Sequence, residues 1–149
     1  MEDERRMRRC LELAREALTR GEVPVGAVVA RGERIAGEGT ECTRALLDHG
    51  AHAEVQAIRA ACQNLHSADL RGFTLYSTVE PCVLCAYVIR RAGLSRVVFG
   101  IAAGQAGGWT SRYALLRDGS LDGWPPPPEV SSGVLAEKCE DLMRSYSQR

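Results

Sequence analysis

The chain has 149 residues, and its 19 Lys and Arg balance 19 Asp and Glu to a formal net charge of zero. That length suits one domain, 1–149, with a sizeable core, and that balance offers no global field to draw in a polyanion. No apolar run approaches the ~18 residues of a membrane span, and Met1-Glu2-Asp3-Glu4-Arg5-Arg6 is too charged for a secretory leader, so a soluble, cytoplasmic protein with no membrane partner is expected.

In chain order, Met7, Leu11, Ala14 and Leu18 recur at helical spacing and predict an amphipathic helix over 3–20, ended by Gly21. Val25 to Ala30 is a continuous apolar run, as in a strand buried on both faces. Arg31-Gly32-Glu33 supplies a turn, and Arg34 to Thr40 returns as the hairpin partner, with small residues that permit close approach of a ligand or helix. After a loop over 41–50, Val55, Ile58 and Cys62 mark one face of a helix over 51–62, with His52 in its first turn. Thr74 to Thr78 is a short strand. Pro81 suits the first turn of a helix over 82–92, with Gly93 as its stop. Ser95 to Gly100 is a strand entered from a helix, hence parallel to its predecessor. Beyond it come a Gly-rich stretch over 101–108, a short helix over 111–117, a stiff Pro125 to Pro128 connector, an edge strand at Glu129-Val130 and a closing helix carrying Val134, Leu135, Cys139, Leu142 and Met143.

Six cysteines in a chain of this kind read as metal ligands plus buried thiols rather than a disulfide framework. Cys10, Cys42, Cys62 and Cys139 lack paired spacing and read as small core residues. Cys82 and Cys85, spaced C-x-x-C at a helix start, can place two thiolates on one metal, and His52 offers a third ligand. Three protein ligands leave one tetrahedral position of Zn²⁺ open, the arrangement of a catalytic site. Glu54 then stands two residues from a ligand without being needed as one, and a carboxylate there can carry protons between a metal-activated water and a substrate. His49 reads as a polar pocket residue or a solvated histidine, His66 as a surface one, and Glu80 as structural. A Trp at 109 or 124 either stacks on a planar base or covers a hydrophobic edge.

His52-Ala53-Glu54 and Pro81-Cys82-Val83-Leu84-Cys85 resemble the H-x-E and P-C-x-x-C signature of the zinc-dependent cytidine/purine deaminase superfamily. Glu22 to Val28, Leu75 to Cys82 and Arg96 to Gly100 look most like the branch of tRNA adenosine deaminases and bacterial guanine deaminases. The resemblance implies an α/β cytidine-deaminase-like three-layer fold, a mixed central sheet of about five strands with helices on both faces. It also implies a homodimer, a Zn²⁺ cofactor on His52, Cys82 and Cys85, Glu54 as proton carrier, and a pocket walled by Val25, Ala27 and Ala53. One departure bears on substrate. Members of the branch usually carry Asn where Glu41 follows Gly37-Glu38-Gly39-Thr40, and an ionised carboxylate only accepts hydrogen bonds. With Glu41, Trp109 and a weakly basic tail, the reading favours a small aminated base or nucleoside of guanine-like type as the partner over tRNA. A tRNA adenosine-to-inosine deaminase and a non-catalytic zinc-stabilised binding module are the alternatives.

Overall fold

A computed structural model describes residues 2–147; Met1 and the tail residues Gln148 and Arg149 lie outside the described residues. Helix α1 (Glu2–Thr19) opens with Glu2, Asp3 and Glu4 at the positive end of its dipole and buries Met7, Cys10, Leu11, Ala14 and Ala17 along one stripe. Strands β1 (Gly26–Arg31) and β2 (Arg34–Thr40) form an antiparallel hairpin turned at Gly32, whose φ is +57°. Four-residue α2 (Thr43–Leu46) leads to α3 (Ala53–Leu65), followed by β3 (Thr74–Val79), α4 (Val83–Ala92), β4 (Arg96–Ile101), β5 (Glu129–Ser131) and α5 (Ala136–Ser147).

The five strands make one mixed sheet in the order β2-β1-β3-β4-β5. β1 is antiparallel to both its neighbours, while β3, β4 and β5 run parallel, with α4 as the crossover between β3 and β4. Alternation along β1 divides the core. Ala27 and Val29 point to a cluster with Ala57, Ile58 and Ile89 of α3 and α4. Val28 and Ala30 point to the other face, against Met7, Cys10 and Leu11 of α1 and Cys139 of α5. The expected three-layer arrangement is thus present.

Both site helices begin later than the periodicity predicts. α3 starts at Ala53 and α4 at Val83, with His52 and Cys82 as extended N-caps (φ −72°, ψ 152° and φ −74°, ψ 179°) rather than first-turn residues. Neither side chain makes a capping hydrogen bond to its own helix, which suits a ligand shared between elements. The helix predicted over 111–117 shrinks to a 3₁₀ turn at Leu115–Arg117. Pro125 does form a connector, its carbonyl accepting from Arg90 Nη2 at 3.1 Å. Met143 packs on the α3/α4 side of the core rather than with Leu142.

The small residues of β2 serve a helix, not a ligand. A Cβ at Gly37 or Gly39 would overlap the α3 backbone at Ala57 and Ala61 or at Ala53 and Ala57, so α3 lies directly on the strand with alanines facing glycines. This seating sets the height of His52 and Glu54. Gly39→Ala is therefore expected to cost about 1–3 kcal/mol as overpacking, read as a lower urea midpoint at unchanged m-value.

Candidate active site

The starts of α3 and α4 meet beyond the carboxyl end of β3. His52 Nδ1 lies 3.3 Å from Cys85 Sγ and 3.5 Å from Cys82 Sγ, and the two sulfurs are 3.8 Å apart. A tetrahedral zinc with bonds of about 2.3 Å to sulfur and 2.0–2.1 Å to nitrogen requires separations of roughly 3.5 and 3.8 Å. These three ligand atoms fit the ion, and among the described residues they form the cluster able to hold one. Cys85 is fully buried; His52 and Cys82 are half-buried.

Without an ion the three groups share protons. The Cys82 thiol is drawn down to about 4 by the hydrogen bond from Cys85, with His52 also favouring the thiolate, whereas Cys85 is pushed up by that same bond and by burial. His52 is held up at about 9 by its bond to Cys82. Metal ligation replaces this arrangement by two thiolates and a neutral imidazole, releasing protons.

Three carboxylates line the adjoining cavity, and their surroundings separate their roles. Glu54 is buried, and desolvation lifts its carboxyl to about 8, with the Cys82 charge adding to the rise. Glu41 is 7% exposed, raised by burial, and held by Thr43 Oγ1 at 3.1 Å and by a long 3.3 Å bond from the Ala53 amide. Glu80 is buried too, but the Ala103, Thr110 and Trp109 amides and the Thr110 hydroxyl outweigh desolvation and hold its carboxyl below the usual range. Glu22, equally buried, accepts from the Arg44 and Ala45 amides at 3.0 and 2.7 Å and so fixes α2 beside the cavity.

The cavity measures about 170 Å³ and is walled by Val23, Val25, Glu41, His52, Glu54, Val79, Glu80, Cys82 and Ala103. Sites for drug-sized ligands span about 300–1,000 Å³, so this one admits a single small planar group and leaves any attached chain outside. Val25 and Glu41 line this cavity, and the Ala53 amide donates to Glu41 rather than facing the cavity. Ala27 lies behind the wall, fully buried under the α3 side of the sheet. Trp109 also turns away: its ring packs edge-on against Phe99 at 6.1 Å, under the Arg117 guanidinium at 5.7 Å. Trp124 covers an edge against Tyr87 at 5.5 Å. His49 and His66 are exposed, and Cys10, Cys42, Cys62 and Cys139 are free thiols. Val23, Val79 and Ala103 were not anticipated, since an apolar wall residue carries no mark in the sequence that separates it from core.

Residues 1–101 match the family described as the cytidine and deoxycytidylate deaminase zinc-binding region. The chain belongs to this family. It is accordingly a zinc-dependent hydrolytic deaminase, and the binding-module alternative falls away. A tRNA-specific adenosine deaminase of Haemophilus influenzae is 39% identical over 148 residues, covering 99% of this chain and 84% of that protein. The corresponding Aquifex aeolicus enzyme is 34% identical, covering 89% and 90%. A structure solved in work on A-to-I editing by tRNA:A34 deaminases superposes with a TM-score of 0.85 at 34% identity, covering 93% of this chain and 98% of that one. Guanine deaminase from Bacillus subtilis superposes with a TM-score of 0.63 at 35% identity over 66% and 64% of the chains. Among the described residues no helix is long and apolar enough to cross a membrane.

Proposed function

We propose that the protein deaminates adenosine in tRNA. The reading is carried by the 39% identity to a tRNA-specific adenosine deaminase across nearly the whole chain, which reverses the order of preference drawn from charge and Glu41. A neutral total charge does not describe local charge. Exposed Arg20 and Arg44 donate to neutral oxygens, Thr40 Oγ1 at 2.7 Å and the Gly21 carbonyl at 2.9 Å, on chain positions close to the wall residues Glu41 and Val23, and in this proposal they meet a phosphate. The cavity takes one base and leaves the polynucleotide outside, as base-extruding enzymes require.

His52, Cys82 and Cys85 hold zinc, which when bound supplies the Lewis acidity that makes a water nucleophilic near neutral pH. Glu54 takes one proton from the attacking water and passes it to the ring nitrogen, then takes the second from the hydroxyl left on the ring carbon and passes it to the departing amine, so that base and water become the oxo-base and ammonia. Its burial excludes competing solvent from that transfer. Val25, Val79 and Ala103 offer apolar walls to the faces of the ring. Subunits pair as a homodimer in this proposal.

A second reading, a free guanine-like base, is favoured by Glu41. Its carboxylate lines the cavity and keeps accepting capacity beyond its two bonds, so it selects a base that presents N–H groups. Ammonia release from free bases and nucleosides, set beside inosine formation in an adenosine-bearing anticodon stem-loop, separates the readings. The tRNA reading expects inosine, with affinity falling steeply as salt rises. Under the free-base reading Glu41→Gln lowers kcat/KM about 10-fold to 150-fold, the worth of a 1.5–3 kcal/mol charged bond, at unchanged zinc content. Under the tRNA reading Glu41→Asn leaves inosine formation intact. Guanine turnover with salt-independent KM and no inosine would overturn the tRNA proposal.

A further inference from the structure

Glu80 is not a spare acid in the cavity. Its Oε1 accepts from the Ala103 amide at 3.0 Å and the Thr110 hydroxyl at 2.7 Å, and its Oε2 from the Trp109 and Thr110 amides at 2.8 and 2.7 Å. Four donors occupy the carboxylate's accepting positions, which leaves it nothing to offer a substrate. The segment it grips is bound to the metal half-site as well. Gly107 forms a β-bridge with Cys82, and the Gly108 amide donates to the Pro81 carbonyl at 2.8 Å. A Cβ at Gly107 would fall on the Glu80 carboxylate, so only glycine lets the segment wrap this closely. Ala103, held at the other end of the grip, is itself cavity wall.

We infer that Glu80 is a positioning residue that sets the substrate cavity through the 103–110 segment: it holds Ala103 against the bound base. It acts on binding, not on proton transfer or metal retention. The inference rests on the deaminase reading for its substrate, but the grip itself can be tested without one.

Glu80→Gln is selective. The Oε2 site faces two amides that can only donate, so the glutamine oxygen must remain there and its NH₂ must face Ala103 and Thr110. The Thr110 hydroxyl can turn to accept, but the Ala103 amide cannot. The variant therefore frees Ala103 alone. In the zinc-loaded protein, amide exchange is expected to accelerate at Ala103 while Trp109 and Thr110 stay protected. Zinc content holds, and KM rises about 10-fold, the weight of one hydrogen bond, while kcat holds. Gly107→Ala, which pushes the segment off from the loop side, is expected to raise KM likewise and serves should Glu80→Gln fail to fold. Faster exchange with KM unmoved would overturn the inference, as would zinc loss or a fall in kcat at constant KM. A parent that deaminates no base would sink the functional reading, while unchanged exchange at Ala103 would sink this one.

Discussion

Glutamine in place of Glu54 leaves zinc content and fold intact and lowers turnover by about 10²–10⁴-fold, the usual contribution of a positioned acid-base group. The substitution keeps shape and one accepting oxygen, so what disappears is the ability to take up and return a proton. Normal turnover would remove Glu54 from the mechanism, and loss of zinc would make it a ligand. The zinc-free protein provides an independent check. Burial lifts the Glu54 carboxyl from its ordinary 4.5 to about 8, so the folded state holds this proton more tightly than the unfolded chain. The resulting stabilisation is fully present below about pH 4.5 and is lost as pH rises through about 8. Zinc-free Glu54→Gln should lack that component, so its stability relative to the parent improves as pH rises across the window. Chemical denaturation of both proteins at several pH values measures it.

Much of the site was legible because its chemistry depends on residue type and short spacing. The C-x-x-C pair and the nearby His-x-Glu need no tertiary knowledge to suggest a metal beside an acid. The β1–β2 hairpin was equally plain, with an apolar run, a glycine turn and a return at Arg34–Thr40. Periodicity could not show that His52 and Cys82 cap their helices from outside, since an extended N-cap and a first-turn residue occupy adjacent positions in the same pattern. Nor could composition show that exposed Arg20 and Arg44 bond to neutral oxygens of Thr40 and Gly21, since a sum of charges erases local placement. Trp109 misled because a ring beside glycines looks available, whereas its partner Phe99 faces it from β4. The grip of Glu80 joins residues 23 to 30 positions apart. Its one sequence signal is a carboxylate just past a short β-rich strand, with Gly107-Gly108 downstream to bring bare backbone to it.

Replacing Cys85 with alanine abolishes the stabilisation that zinc confers, along with activity. Cys85 is fully buried and contributes a sulfur to a set of only three ligand atoms, so its loss leaves two. Binding to the folded state alone stabilises by RT ln(1 + [L]/Kd), about 4 kcal/mol at a thousandfold excess over Kd. For a domain near 150 residues each kcal/mol moves Tm by about 2–4 °C. The parent should therefore gain on the order of 10 °C between chelator and saturating zinc, and Cys85→Ala should gain none. Cys139→Ala separates this from simple packing. Cys139 is also buried, at 3% exposed, but it sits between α5 and the opposite face of the sheet. Its replacement lowers stability in chelator and in zinc alike, leaving the zinc-dependent gain at the parent's size. A zinc response that survives in Cys85→Ala, or vanishes in Cys139→Ala, would mean that the metal is held by something other than His52, Cys82 and Cys85.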